Sequence, residues 1–112
     1  MKVTIWHNPA CGSSRAALDR LTSKGVKPEI YLYMNEKPSK ARIREVLKQL
    51  RMKPAGLLRA KEAAEFGLTE GDSDEAILQA MASDPRLIQR PIVISPKGAV
   101  LARPPLRVDE IL

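Results

Sequence analysis

Val3-Thr4-Ile5-Trp6-His7-Asn8-Pro9-Ala10-Cys11-Gly12-Ser13-Ser14-Arg15 holds the decisive pattern of this 112-residue chain. The short apolar run Val3 to Trp6, with β-branched residues, predicts a buried strand. A helix is expected from about Gly12 to Lys24, with Ala17, Leu18 and Leu21 on one face. The polar segment between them, His7 to Arg15, is then a strand-to-helix turn, and the only cysteine of the chain sits in it. The first N–H groups of a helix have no intrahelical partner and carry partial positive charge. A thiolate at that position is stabilised, and so is an oxyanion that approaches it.

Beyond the turn, the same order continues. Lys24-Gly25 predicts the helix end, since glycine accepts the left-handed cap conformation. Glu29 to Tyr33 predicts a second strand. Ser39 is placed to cap a helix over about Lys40 to Arg51, where Ile43, Val46, Leu47 and Leu50 follow helical spacing. A helical segment over about 54–85 comes next, with short helices near Gly56 to Phe66 ended at Gly67. A further helix there is capped by Asp72 or Ser73 and stopped at Asp84-Pro85. Pro91 to Ser95 and Ala99 to Ala102 form a hairpin around Pro96-Lys97-Gly98. A short helix over Arg107 to Leu112 closes the chain. The first half gives a parallel βαβ unit, and the hairpin adds antiparallel strands. The expectation is an α/β fold with a thioredoxin-like mixed sheet, β-α-β-α … β-β-α. It forms one domain over 1–112, with a helical insertion before the C-terminal hairpin.

Composition narrows the classes. Apolar residues at 44% and charged residues at 29% suit a globular chain with one modest core. The formal charge of +6 fits nucleic acid, a membrane surface or a small anion. The densest basic cluster, Lys37, Lys40, Arg42, Arg44, Lys48, Arg51 and Lys53, has Glu36 and Glu45 interspersed and reads as a solvated helix face. Trp6, Tyr31 and Tyr33 read as core or sheet-face residues rather than a base-stacking platform, so no nucleic-acid partner is expected. No apolar stretch approaches the ~18–20 residues that span a bilayer, so no membrane association is expected. One cysteine cannot form an internal disulfide, and no signal peptide is visible; a reducing, cytoplasmic setting and a monomer are expected.

The spacing around Cys11 excludes several chemistries. An arginine six positions after the cysteine would mark a phosphatase loop, but that position is Ala17. No Walker phosphate loop is present. Ser14 stands where a C-x-x-C motif would place its second cysteine, so Cys11 has no local resolving thiol and any redox turnover must draw on an external one. One His and one Cys are too few for a standard zinc site, and no metal is expected. His7 and Arg15 offer proton-handling and cationic side chains beside the thiol.

Three arginines stand in distinctive settings: Leu57-Leu58-Arg59, Arg90-Pro91-Ile92 and Ala102-Arg103-Pro104-Pro105. Antiparallel pairing of the hairpin brings Arg90 and Arg103 towards the same end of the sheet. In a thioredoxin-like fold, the proline that opens the third strand lies beside the active thiol, often after a cis peptide bond. Pro91 occupies that place, which sets Arg90 at the thiol. Guanidinium forks suit tetrahedral oxyanions.

With these segments together, the chain resembles the glutaredoxin-coupled arsenate reductases of the thioredoxin superfamily. The carrying motifs are His7 to Arg15, Leu57-Leu58-Arg59, Arg90-Pro91-Ile92-Val93 and Arg103-Pro104, in family order over nearly the whole chain. The resemblance implies Cys11 as nucleophile, Arg59, Arg90 and Arg103 as an oxyanion clamp, and His7 and Ser14 as groups that help hold the thiolate. It implies reduction of arsenate to arsenite, with no bound cofactor, glutathione as co-substrate and glutaredoxin as partner. Two segments depart from the family. Leu106 follows Arg103-Pro104-Pro105 where a glutamate is common, and Ala63-Ala64-Glu65-Phe66 replaces a proline and tyrosine after Arg59. Regulators of the same superfamily, without arsenate reductase activity, are the competing reading; they usually carry C-x-x-C, which Ser14 removes.

Overall fold

The structure, a computed structural model, describes all of residues 1–112. It divides into two compact units, one made of Met1–Glu36 with Arg90–Leu112 and the other of Lys37–Gln89. The helical segment expected over 54–85 lies inside the second unit, which starts earlier and also holds the helix over 40–50.

The first unit carries the sheet. Its strands are β1 (Thr4–Trp6), β2 (Glu29–Tyr31), β3 (Ile92–Ser95) and β4 (Gly98–Leu101), in the order β2-β1-β3-β4. β1 runs parallel to β2, with Ile5 opposite Ile30, and antiparallel to β3, with Ile5 opposite Val93. The parallel pair needs a crossover, and α1 (Gly12–Ser23) supplies it. β3 and β4 form the expected hairpin; Ser95 pairs with Gly98 across Pro96-Lys97, and Ile92 pairs with Leu101.

The core of this unit follows from alternation on the strands and periodicity on the helix. Val3, Ile5, Val93 and Val100 meet Ala17 and Leu21 of α1 and Val108 and Ile111 near the C-terminus, all buried. Trp6, Tyr31 and Tyr33 form a separate aromatic group, with ring centroids 5.2 Å apart for Trp6–Tyr31 and 6.1 Å for Trp6–Tyr33.

Two expectations are corrected here. The second strand stops at Tyr31, not Tyr33: Tyr33 is buried and opens a short helix, α2 (Tyr33–Glu36). The reason is local. The Tyr31 carbonyl accepts the N–H of His7, but the next carbonyl, that of Leu32, accepts from Asn35 and Glu36 and turns the chain. The closing helix is a 3-10 helix over Pro105–Ile111 and starts two residues early, since proline suits a first helical position. α1 ends as expected. Gly25 takes φ +78, while its N–H reaches Thr22 and that of Val26 reaches Leu21, a Schellman closure.

The second unit is helical: α3 (Lys40–Leu50), α4 (Pro54–Leu57), α5 (Ala60–Glu65), α6 (Asp74–Ser83) and a 3-10 turn over Pro85–Leu87. Ser39 caps α3 by accepting the Arg42 N–H, and Ser73, not Asp72, caps α6 by accepting that of Ala76. Asp72 instead accepts the Thr69 N–H. α3 closes with the same Schellman pattern as α1, but Arg51 occupies the left-handed position at φ 57. Leu58 bridges Ile88, and the Arg59 N–H donates to the Leu87 carbonyl, so a short extended contact holds the segment bearing Arg59. No helix of the chain is long and apolar enough to cross a membrane.

Candidate active site

Cys11 is the N-cap residue immediately before α1, with extended backbone at φ −96, ψ 123. The segment before it folds on itself because Asn8 and Pro9 favour a turn. The Asn8 side-chain oxygen accepts the Ala10 N–H at 3.0 Å, and its carbonyl accepts the Cys11 N–H at 2.9 Å. This turn carries the cysteine over the helix start. Its sulfur there accepts the backbone N–H groups of Ser14 and Ser13 and a hydrogen bond from the Arg90 side chain. Burial alone pushes the thiol up, but these donors and the Arg90 charge outweigh it, and the thiol is held below its ordinary value of 9.0.

His7 and Ser14 are both buried and lie behind the loop. Ser14 Oγ is 2.6 Å from His7 Nδ1 and accepts the Asn8 N–H at 3.0 Å. Burial and the nearby Arg15 charge hold His7 below its ordinary value, which favours the neutral ring at pH 7, and Nδ1 shares one hydrogen bond with the serine hydroxyl. Ser14 thus works from both ends. Its side chain is pinned by residues 7 and 8, and its backbone N–H points at the sulfur.

Arg15 is exposed and donates from Nη1 to the Pro9 carbonyl at 2.8 Å. Its guanidinium is not among the groups that act on the sulfur. The cation beside the thiol is Arg90, while Arg15 ties the two ends of the Pro9–Arg15 segment together. Pro91 is buried and follows a cis bond, as the sequence predicts for the proline opening the third strand. The bond between Arg103 and Pro104 is also cis, which the sequence reading did not foresee.

Arg90 and Arg103 each lie two residues beyond the Ile92–Leu101 pair, at the same end of the hairpin. Arg90 Nε is buried with no hydrogen-bond partner, so its guanidinium retains donor capacity beyond its bond to sulfur. Arg103 is exposed and no carboxylate of the chain pairs with it. Arg59, in the second unit, donates from Nε to Glu62 at 2.9 Å. The sequence reading missed that partner, although the i, i+3 spacing on a helix start was a legible signal. It also missed Asn8, whose Asn-Pro pair is an ordinary turn signal.

A free cysteine at the start of α1, with the Arg90 side chain beside it at the end of the β3–β4 hairpin of a β2-β1-β3-β4 sheet, defines a thioredoxin-like thiol protein. The ArsC family model matches residues 6–111, and the chain belongs to the ArsC family. An arsenate reductase of Rhizobium meliloti (strain 1021) is 39% identical over 100% of this chain and 82% of its own length. The uncharacterized protein YfgD of Escherichia coli (strain K12) is 42% identical over 99% of this chain and 97% of its own length. Among solved structures, an arsenate reductase from Vibrio cholerae superposes with a TM-score of 0.91 at 36% identity, covering 100% of this chain and 98% of that one.

Proposed function

We propose that this chain is an arsenate reductase that uses the Cys11 thiolate as nucleophile and draws reducing equivalents from glutathione and glutaredoxin. One observation carries the reading: the only cysteine accepts two helix-start N–H groups and the Arg90 guanidinium. That arrangement stabilises a thiolate and offers donors to an oxyanion at the same place.

Arsenate is a tetrahedral dianion, and Arg90 and Arg103 suit its oxygens with paired N–H donors. Arg59 takes the same role on the strength of its Leu57-Leu58-Arg59 motif. The thiolate attacks the pentavalent arsenic; a sulfur–arsenic bond forms and an oxygen leaves as water or hydroxide. Glutathione then displaces a second oxygen of the Cys11–arsenic adduct as water. The glutaredoxin thiol attacks the glutathione sulfur, and that sulfur–arsenic bond breaks with its electron pair left on arsenic. A glutathione–glutaredoxin disulfide leaves, and hydrolysis of the Cys11–As(III) bond releases arsenite and restores the thiol. Reduction from As(V) to As(III) takes two electrons, the number released when two thiols become a disulfide. Ser14 occupies the place where a resolving cysteine would stand, so both external thiols have a role. The reading includes a monomer in a reducing, cytoplasmic setting with no bound cofactor.

The test is a coupled assay with purified protein, arsenate, glutathione and glutaredoxin, omitting each component in turn. Turnover is expected only with all four, and Cys11→Ser abolishes it. Undiminished turnover by that variant refutes the mechanism. A complete mixture without turnover, with a Cys11 that still alkylates rapidly, favours the regulatory reading instead.

A further inference from the structure

The second unit contains a hollow of about 500 Å³ that lies between α3, α6 and the segment leading into α4. Its apolar lining comes from Leu47, Met52, Pro54 and Leu78. Hollows of this size accommodate a small organic molecule.

The charges around it are unevenly satisfied. Glu75 is engaged by Lys40 and, at 3.5 Å, by Arg44, so that carboxylate is neutralised within the fold. Lys48 and Lys53 also line the hollow, and neither pairs with any carboxylate of the chain. Lys48 lies in the last turn of α3, where a cation is favoured, and both lysines are exposed. Their long apolar stems can follow the apolar wall while the ammonium groups stay at the rim. Asp74 supplies one acidic group to the lining and opens α6, where the helix dipole favours a carboxylate. The local balance of unpaired side chains is therefore two cations against one anion.

We propose that this hollow binds an organic anion: an apolar body seated on Leu47, Met52, Pro54 and Leu78, with a carboxylate or sulfonate group held by Lys48 and Lys53. Met52 is the adaptable wall. Its unbranched thioether side chain can shift to fit bodies of different outline. Arg44 is committed to Glu75 and adds a fixed positive background rather than a direct contact. An uncharged body loses the lysine contacts, and an inorganic anion loses the apolar ones. The site therefore selects for both features in one molecule.

The test uses 8-anilinonaphthalene-1-sulfonate as probe on the full chain at low ionic strength. Saturable one-to-one binding is expected, with enhanced, blue-shifted fluorescence. Lys48→Ala/Lys53→Ala should weaken it by about fivefold, since each exposed charge contact contributes modestly. Met52→Trp, which fills the hollow, should abolish it, while Cys11→Ser leaves it unchanged. N-phenyl-1-naphthylamine, the same body without sulfonate, should bind more weakly than the sulfonate. Unchanged affinity in the lysine variant overturns the proposal, as does equal binding of the uncharged probe. Loss of binding in Cys11→Ser, or a chain that self-associates through this face and takes up no probe, overturns it as well. None of these readouts depends on arsenate turnover.

Discussion

The hydroxyl of Ser14 lies 2.6 Å from Nδ1 of His7, while the backbone N–H of the same serine donates to the Cys11 sulfur. The imidazole is thereby coupled to the nucleophile through one residue. Ser14→Ala removes the tether and keeps the backbone donor. Thiolate formation, followed by absorbance near 240 nm or by iodoacetamide alkylation against pH, should shift upward in this variant. An unchanged titration would show that the N–H is positioned without the hydroxyl.

The wild-type thiol titrates below its ordinary 9.0 because helix-start N–H groups and Arg90 outweigh burial. The reactive thiolate is present above that lowered value and is lost as pH falls through it. Arg90→Ala should move the midpoint up. The same variant, and Arg103→Ala, should each weaken oxyanion binding by ~1.5–3 kcal/mol if a charge-assisted bond is lost. Phosphate inhibition measures this without requiring turnover; wild-type affinity in both variants refutes the clamp.

Arg15 gives a different signature. It holds the Pro9 carbonyl at 2.8 Å and does not act on the sulfur. Arg15→Ala should lower kcat and the alkylation rate with little change in phosphate affinity. Arg15→Lys should recover part of both, because an ammonium can still donate to the carbonyl. A large loss of phosphate affinity in Arg15→Ala would instead make it a substrate contact.

Arg20 and Asp109 join α1 to the C-terminal 3-10 helix through two bonds, at 3.1 and 2.5 Å. The Arg20 hydrogen bond holds the Asp109 carboxyl below its ordinary 3.8. The folded value is thus lower than the unfolded one, so the pair's contribution is present above pH 3.8 and disappears as pH falls through the folded value. Asp109→Asn should lower Tm at neutral pH, and its deficit should shrink in strong acid. A deficit independent of pH would mean that packing, not charge, is lost.

Arg51 occupies a left-handed position at φ 57 that glycine fills at Gly25. Arg51→Gly relieves backbone strain and should stabilise the chain by about 0.5–1 kcal/mol after its unfolded-state entropy is counted. Urea denaturation checks the sign; destabilisation would mean that the arginine side chain matters more than its backbone.

Much of this was legible in the sequence because the signals were short-ranged. The strand-to-helix turn, the serine caps at 39 and 73, the glycine at 25 and the hairpin around Pro96-Lys97 each depend on a few neighbouring residues. Tyr33 was misplaced because its aromatic, β-favouring character matches a strand, whereas the Leu32 carbonyl turns the backbone into a helix. Arg15 was assigned to the thiol by proximity in sequence, but its side chain points back to Pro9. Arg90, distant in sequence, reaches the sulfur through the β1–β3 pairing. The Arg59–Glu62 pair is legible only as an i, i+3 spacing at a helix start, a signal too common to mark a partner by itself.

The hairpin end that carries Arg90 and Arg103 also bears on how the protein should be handled. Gathering like charges at one end of a sheet is electrostatically uphill for the folded chain, and unfolding relieves it. Any oxyanion that binds only the folded form offsets that repulsion and raises apparent stability by mass action. On the proposed oxyanion clamp, phosphate and sulfate buffers are expected to act on this protein's stability. The expected result is a melting temperature that rises with the concentration of the buffer anion and is therefore to be quoted alongside it.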